Sequence, residues 1–394
     1  YHVTVSNGKV YFGSSVDNKV YALNAITGEL AWTFFTEGPV RFAPTVWKNR
    51  VYFGSDDGNV YCLRTEDGKP LWKYRAGPSD EKVLGNGRMI SLWPVRTSIL
   101  VEDGIVYLGA GVFPYEGIYI CALSAEDGKI IWKNDTIGDH AQELAFGGIS
   151  PQSYLIASEN ILYVPSGRAM PAAFDRASGE FLYYCPPGGK IGGTWALVSE
   201  GELIAGVDSS GIPGKVAYDE KTGKKKSDAY AWFPGIDMAI TPDIAYIVSY
   251  DGIYAIDRKA YPSASEKLTA LAKERQELGA ILTDVKGKLS KMADEADGDE
   301  SPVDKLTAKI DEISAKEEKL LKELTCKWQY KKADLYSLII ADDKVVSGGK
   351  NVVVILSAKT GKELNALSVD GNALGLAVSG GNLLVSSEKG PIYC

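Results

Sequence analysis

The chain has 394 residues, 45% of them hydrophobic, with 42 glycines and a formal net charge of −8. That length and apolar content suffice for a large core, and the glycines supply many turns. The acidic balance argues against a nucleic-acid partner, since phosphate binding needs a basic face, and no apolar run reaches the ~18 residues of a membrane span.

From the N-terminus onward one pattern keeps returning. Asn24-Ala25-Ile26-Thr27-Gly28 ends on Trp32, and Glu66-Asp67-Gly68 ends on Trp72. Ala125-Glu126-Asp127-Gly128 ends on Trp132, and Ala177-Ser178-Gly179 ends on Tyr183. Weaker copies are Lys221-Thr222-Gly223 and Lys359-Thr360-Gly361. Short alternating runs precede them, such as Lys9 to Ser14, Arg50 to Ser55 and Ile105 to Ala110. Their β-branched and aromatic residues suit half-buried strands, and the Asp57-Gly58 and Asp67-Gly68 pairs suit hairpin turns. A period of roughly 40 to 50 residues built from strands and turns predicts blades around an axis. Second strands beginning at Val10, Val51, Val106, Leu162, Leu203, Ala245, Val345 and Leu383 predict an eight-bladed β-propeller. Its blade-plugging aromatics would be Trp32, Trp72, Trp132, Tyr183 and Trp328. The last repeat stops in its third strand at Cys394, and Tyr1-His2-Val3 begins inside an inner strand, so the chain reads as a segment of a longer protein.

Aligning the repeats on their second strands places Arg41, Arg96 and Gln152 at equivalent positions entering inner strands, with Trp195 and Asp237 two residues further on. Such positions face the channel of a propeller. Arg41 and Arg96 would stand a blade apart and grip a carboxylate or phosphate, or else bond backbone carbonyls and close the channel. Asp139-His140-Ala141-Gln142-Glu143 lies in a long connection, and a single histidine beside carboxylates assigns no metal site. Gly147-Gly148 and Gly192-Gly193 precede inner strands with no helix following, which excludes phosphate loops.

In the sixth repeat, Pro262 departs where a short turn belongs and the chain returns near Cys326. Apolar residues recur at Leu268, Leu271, Leu278, Leu282, Val285, Leu289 and Met292, then at Val303, Leu306, Ile310, Ile313, Leu320 and Leu324. The three- and four-residue steps predict an inserted antiparallel α-helical hairpin over 262–325, its first helix roughly 45 Å long at ~1.5 Å per residue. Asp294 to Pro302 is an acidic turn in which Ser301 caps the second helix. Arg275 and Glu317 fill the one polar gap in each seam and would meet across the hairpin. Either the arm is a solvated decoration folded on itself, or it meets a protein partner or a second copy through 263–325.

The five cysteines are widely spaced and odd in number, and no CxxC occurs, so neither a disulfide framework nor a zinc knuckle is expected. Cys62, Cys121 and Cys394 fall on third strands and read as small buried hydrophobes.

The run Val20 to Trp32, repeated with drift, resembles the PQQ-like propeller superfamily, which holds quinoprotein alcohol dehydrogenases and a non-enzymatic outer-membrane assembly lipoprotein. Pro94 to Pro114 and Ser166 to Tyr183 resemble large multidomain propeller proteins of environmental bacteria such as planctomycetes. The resemblance implies a periplasmic or other extracytoplasmic location. For the dehydrogenases it implies PQQ on a Trp, Ca²⁺ held by Glu, Asn and Asp, and a vicinal Cys-Cys pair. No Cys-Cys pair exists here. No cofactor and no metal are therefore expected, and the segment reads as non-catalytic. The expected organisation is propeller over 1–261, helical hairpin over 262–325 and propeller again over 326–394. The expected function is a protein-binding or assembly module of a larger protein. The alternatives are a domain of an enzyme whose methyltransferase or electron-transfer part follows Cys394, or a quinoprotein dehydrogenase.

Overall fold

The computed structural model describes residues 2–85, 87–138, 148–166, 171–184, 196–205, 216–227, 229–233, 235–289, 302–324 and 326–394. The strands form antiparallel meanders arranged as a propeller of seven blades, with two helices inserted in the sixth. Blade 1 begins with Thr4–Ser6, blade 2 with Thr45–Trp47, blade 3 with Leu100–Glu102 and blade 4 with Ile156–Ala157. Blades 5, 6 and 7 begin with Ala196–Ser199, Asp237–Ile240 and Leu335–Ala341. Neighbouring inner strands touch in several of these pairs, and the ring closes where Thr4–Ser6 lies against Glu363–Ser379.

Seven blades correct the expectation of eight. All eight second strands exist, the last being Asn382–Ser387, but it shares one five-stranded sheet with Leu335–Ala341 and Lys344–Ser357. The cause is continuity. Glu363–Ser379 runs unbroken, its first half pairing back to Lys344–Ser357 and its second half forward to Asn382–Ser387. Between blades 1 and 2 the crossing at 36–44 contains Pro39 and Pro44, which cannot extend a central strand. The corresponding stretch Val369-Asp370-Gly371-Asn372 has no proline and stays in the sheet.

The repeated motif joins one blade to the next. Trp72 on the outer strand of blade 2 donates its Nε1–H to the Ala125 carbonyl of blade 3 at 3.2 Å, and Tyr52 Oη–H donates to the same oxygen at 3.0 Å. A Cβ on Gly128 would stand 2.7 Å from Trp72 Cδ2, so the bare glycine is the floor on which the indole lies. The same arrangement joins Trp32 to Thr65 and Gly68, and Trp132 to Arg176 and Gly179. It recurs for Tyr183 with Glu220 and Gly223, and for Trp328 with Ala358 and Gly361. These glycines have φ between 64° and 76°, a left-handed conformation that side chains resist. The glycine and the aromatic of each motif thus serve different seams: one receives a ring, the other supplies one to the next blade.

Between blades 5 and 6 the insertion displaces this lock. Helix α1 (Tyr261–Leu289) starts where the turn would lie, and α2 (Pro302–Leu324) returns to the outer strand Cys326–Lys331. Aromatics fill that seam instead. Tyr230 and Tyr261 rings lie 4.6 Å apart, Phe233 lies 5.4 Å from Tyr254, and Leu321 packs into the same cluster. Beyond this root the helices pack on each other. Leu268 and Ile313 are buried, and Leu278, Leu282, Val285, Leu306 and Ile310 are half-buried along the seam. Arg275 Nε meets Glu317 Oε2 at 3.2 Å across the hairpin, with Glu317 almost buried. Ser301 and the acidic turn lie outside the described residues.

Candidate functional site

The channel-side candidates resolve around a residue that the repeat alignment does not single out. Asp56 lies in the turn after the second strand of blade 2, and its side chain is fully buried. Arg41 grips it through Nε and Nη2 at 2.8 and 2.6 Å, both on Oδ2. Arg96, one blade on, contributes Nε to Oδ1 at 3.1 Å and Nη2 to Oδ2 at 3.0 Å. The two guanidiniums therefore converge, on an internal carboxylate. Turn parity is the signal that could have found it: the turn between second and third strands opens on the same face as the connection entering the next inner strand, where both arginines stand. Its neighbour Asp57 is also consumed internally, accepting from Tyr61 Oη–H at 2.6 Å and from the Asn59 amides.

The remaining candidates do not join this cluster. Gln152 donates Nε2–H to Ser150 Oγ at 2.9 Å. Asp237 accepts from Met238 N–H at 2.9 Å and from Leu338 N–H at 2.8 Å, tying blade 6 to blade 7. Trp195, residues 139–143, Gly147 and Gly192-Gly193 lie outside the described residues. Trp93 is buried, with its indole edge-on to Tyr119.

Beside Arg41 an aromatic group borders two cavities. Tyr154 stands edge-on to His2 at 5.1 Å and to Phe42 at 5.2 Å. On one side is a cavity of about 180 Å³ bordered by Arg41, His2 and Ser14, and on the other one of about 330 Å³ bordered by Tyr154, Thr45 and Ser98. A cleft of about 790 Å³ lies elsewhere, between the first turns of α1 and the rims of blades 5 and 6. Its charged walls are neutralised from within, with Arg258 on Glu200 at 3.2 Å and Lys226 on Glu202 at 2.9 Å.

Cys62 and Cys121 are buried thiols, raised by that burial to about 11 and about 12. Cys394 is exposed, which corrects its reading as a buried hydrophobe. Among the described residues no three His, Cys, Asp or Glu side chains gather as a metal set would, and no helix is long and apolar enough to cross a membrane.

Comparison with known proteins gives this geometry a setting. A family model described as outer membrane protein assembly factor BamB matches residues 2–226. The dehydrogenase subunit of the quinone alcohol dehydrogenase of Acetobacter aceti is 30% identical over 139 residues, 32% of this chain and 18% of that protein. Outer membrane protein assembly factor BamB of Yersinia pestis is 29% identical over 136 residues, 33% of this chain and 32% of that protein. In both, the match spans less than a third of the relative's length. The crystal structure of quinohemoprotein alcohol dehydrogenase from Comamonas testosteroni superposes with a TM-score of 0.58 at 15% identity, over 98% of this chain and 70% of that one. At that identity the likeness is one of fold.

Proposed function

The chain belongs to the BamB family of PQQ-like β-propellers, and we propose that it is a non-catalytic protein-binding module whose helical hairpin is the interaction arm. Its place would be in a larger extracytoplasmic protein, with a partner protein or a second copy on the arm. The observation that carries this reading is the mounting of the arm. Helices of 29 and 23 residues are not tethered by a loose turn; Tyr261 and Leu321 are built into the core between blades 5 and 6. A rigid root gives an arm a defined direction, which lowers the entropy lost when its flank binds. The outer surface supports the same reading. Lys309 meets Glu274, Lys316 meets Glu312 and Lys288 meets Asp284 at 2.7 to 3.4 Å, while Ile281 remains 50% exposed among them. An apolar residue ringed by charge suits the centre of a contact.

The quinone dehydrogenase relatives favour a second reading, a propeller belonging to an oxidoreductase or another multidomain enzyme. The described residues do not fit the donor set that such a cofactor needs. Asp56 and Asp237 spend their oxygens on internal donors, and the described cysteines form no vicinal pair. The module reading is tested by Ile281→Glu in the intact chain, measuring the size of the native complex by analytical ultracentrifugation of extracts. Loss of the larger species with unchanged folding supports it. Retention of that species would move the contact off this flank.

A further inference from the structure

Blades 1 and 2 are joined directly by residues 36–44, whereas residues 76–99, which join blades 2 and 3, fold an additional hairpin. Lys82–Gly85 pairs with Arg88–Ser91 as a two-stranded sheet belonging to no blade. One face of it is seated. Ile90 is buried, Ser91 N–H donates to the Asp56 carbonyl at 2.8 Å, and Arg88 reaches blade 1. There Arg88 donates to the Ser15 and Val16 carbonyls and to Asn18 Oδ1 at 2.7 to 3.0 Å. The other face is bare. Leu84 and Met89 stand directly opposite each other and are 76% and 55% exposed.

The backbone of the outer strand is also open. Leu92 N–H donates to the Glu81 carbonyl at 2.8 Å, which sets the alternation of the ladder. Positions 90 with 83 and 88 with 85 then bond each other, so the N–H and C=O of Lys82 and Leu84 point away from the hairpin. No strand among the described residues pairs on that side. Natural sheets blunt such edges with charge, proline or a bulge. Here the one charge on the edge, Lys82, is held by Glu37 at 3.0 Å. Arg88, beside Gly85, bonds carbonyls and an amide, and no carboxylate among the described residues pairs with it.

We propose that Lys82–Gly85 is a docking edge for an extended segment of a partner protein. The segment adds a third strand, lays an apolar side chain on Leu84 and Met89, and places an acidic one at the next position, toward Arg88. Alternation of side chains puts those two residues on opposite faces of the added strand. The hairpin lies on a connection between blades, while the arm replaces a turn between third and fourth strands. In an up-and-down blade these turns open on opposite faces, so edge and arm would engage different partners. The inference extends the binding-module reading without depending on the arm.

The test uses the full chain and a fluorescein-labelled eight-residue peptide of alternating valine and glutamate, followed by anisotropy. Saturable binding is expected, weakened at least tenfold by Leu84→Pro, which removes an outward N–H that the hairpin itself does not use. Leu84→Lys leaves the backbone intact and is expected to weaken binding several-fold through the lost apolar contact. Circular dichroism of both variants should match the parent; if Leu84→Pro perturbs folding, Leu84→Lys carries the test. Equal binding by the variants and parent, or no saturable binding to the parent, overturns the proposal. A dimer of the chain that Leu84→Pro dissolves in sedimentation also overturns it, assigning the edge to a second copy. Removing the arm should leave peptide binding unchanged, so failure here and failure of the arm reading are separable.

Discussion

A carboxylate held by two guanidiniums in a closed turn is expensive to remove, because its loss strands both cations. Asp56→Ala is expected to cost about 3 kcal/mol, at the lower end for a broken buried pair because Arg41 and Arg96 keep part of their exposure. Arg41→Ala and Arg96→Ala should each cost about 1–2 kcal/mol, since Asp56 retains the other partner. Urea midpoints of the three variants check that order, and a smaller loss for Asp56→Ala than for either arginine would refute the clamp. Gly128→Ala is expected to cost about 1–3 kcal/mol from strain at positive φ and from collision with Trp72. The buried thiols give a chemical readout: Cys62 and Cys121 should resist a thiol reagent at pH 8 until denaturant is added, because burial keeps them protonated and covered. The convergence of Arg41 and Arg96 was legible from repeat alignment. Asp56 was not, because Asp-Asp-Gly is also an ordinary hairpin turn and nothing in one sequence marks which of its carboxylates is buried.

At the scale of elements, the helical hairpin was legible almost residue by residue, since a 3.6-residue period over helices this long has few competing readings. The Arg275–Glu317 contact forms for the same reason: both are single polar interruptions of otherwise apolar seams. What periodicity does not convey is the root, where Tyr230, Phe233 and Tyr261 replace the glycine–tryptophan lock through tertiary contacts. Gly279 and Gly287 lie inside α1 with open space where a Cβ would be. Each Gly→Ala change should therefore stabilise the helix by about 0.5–1 kcal/mol, read as increased amide protection along α1 in hydrogen exchange. Unchanged or weakened protection would contradict a helix solvated on that flank.

For the whole molecule, strand counting found every second strand, yet strands are not blades. The seventh sheet absorbs the final repeat because Glu363–Ser379 runs unbroken through residues 368–373, pairing back with Lys344–Ser357 and forward with Asn382–Ser387. The propeller that results is a ring of seams mostly closed by the glycine–aromatic lock, and the arm rises from one where a cluster of aromatics replaces it. The most direct measurement deletes residues 275–316, joins the helix stubs by a short Gly-Ser loop, and leaves Tyr261 and Leu321 in the root. Sedimentation of native complexes, with urea unfolding in parallel, then separates scaffold from arm. The expected result is an unfolding midpoint close to that of the intact protein and loss of the arm-dependent complex. A complex that assembles undiminished on the shortened protein would contradict it.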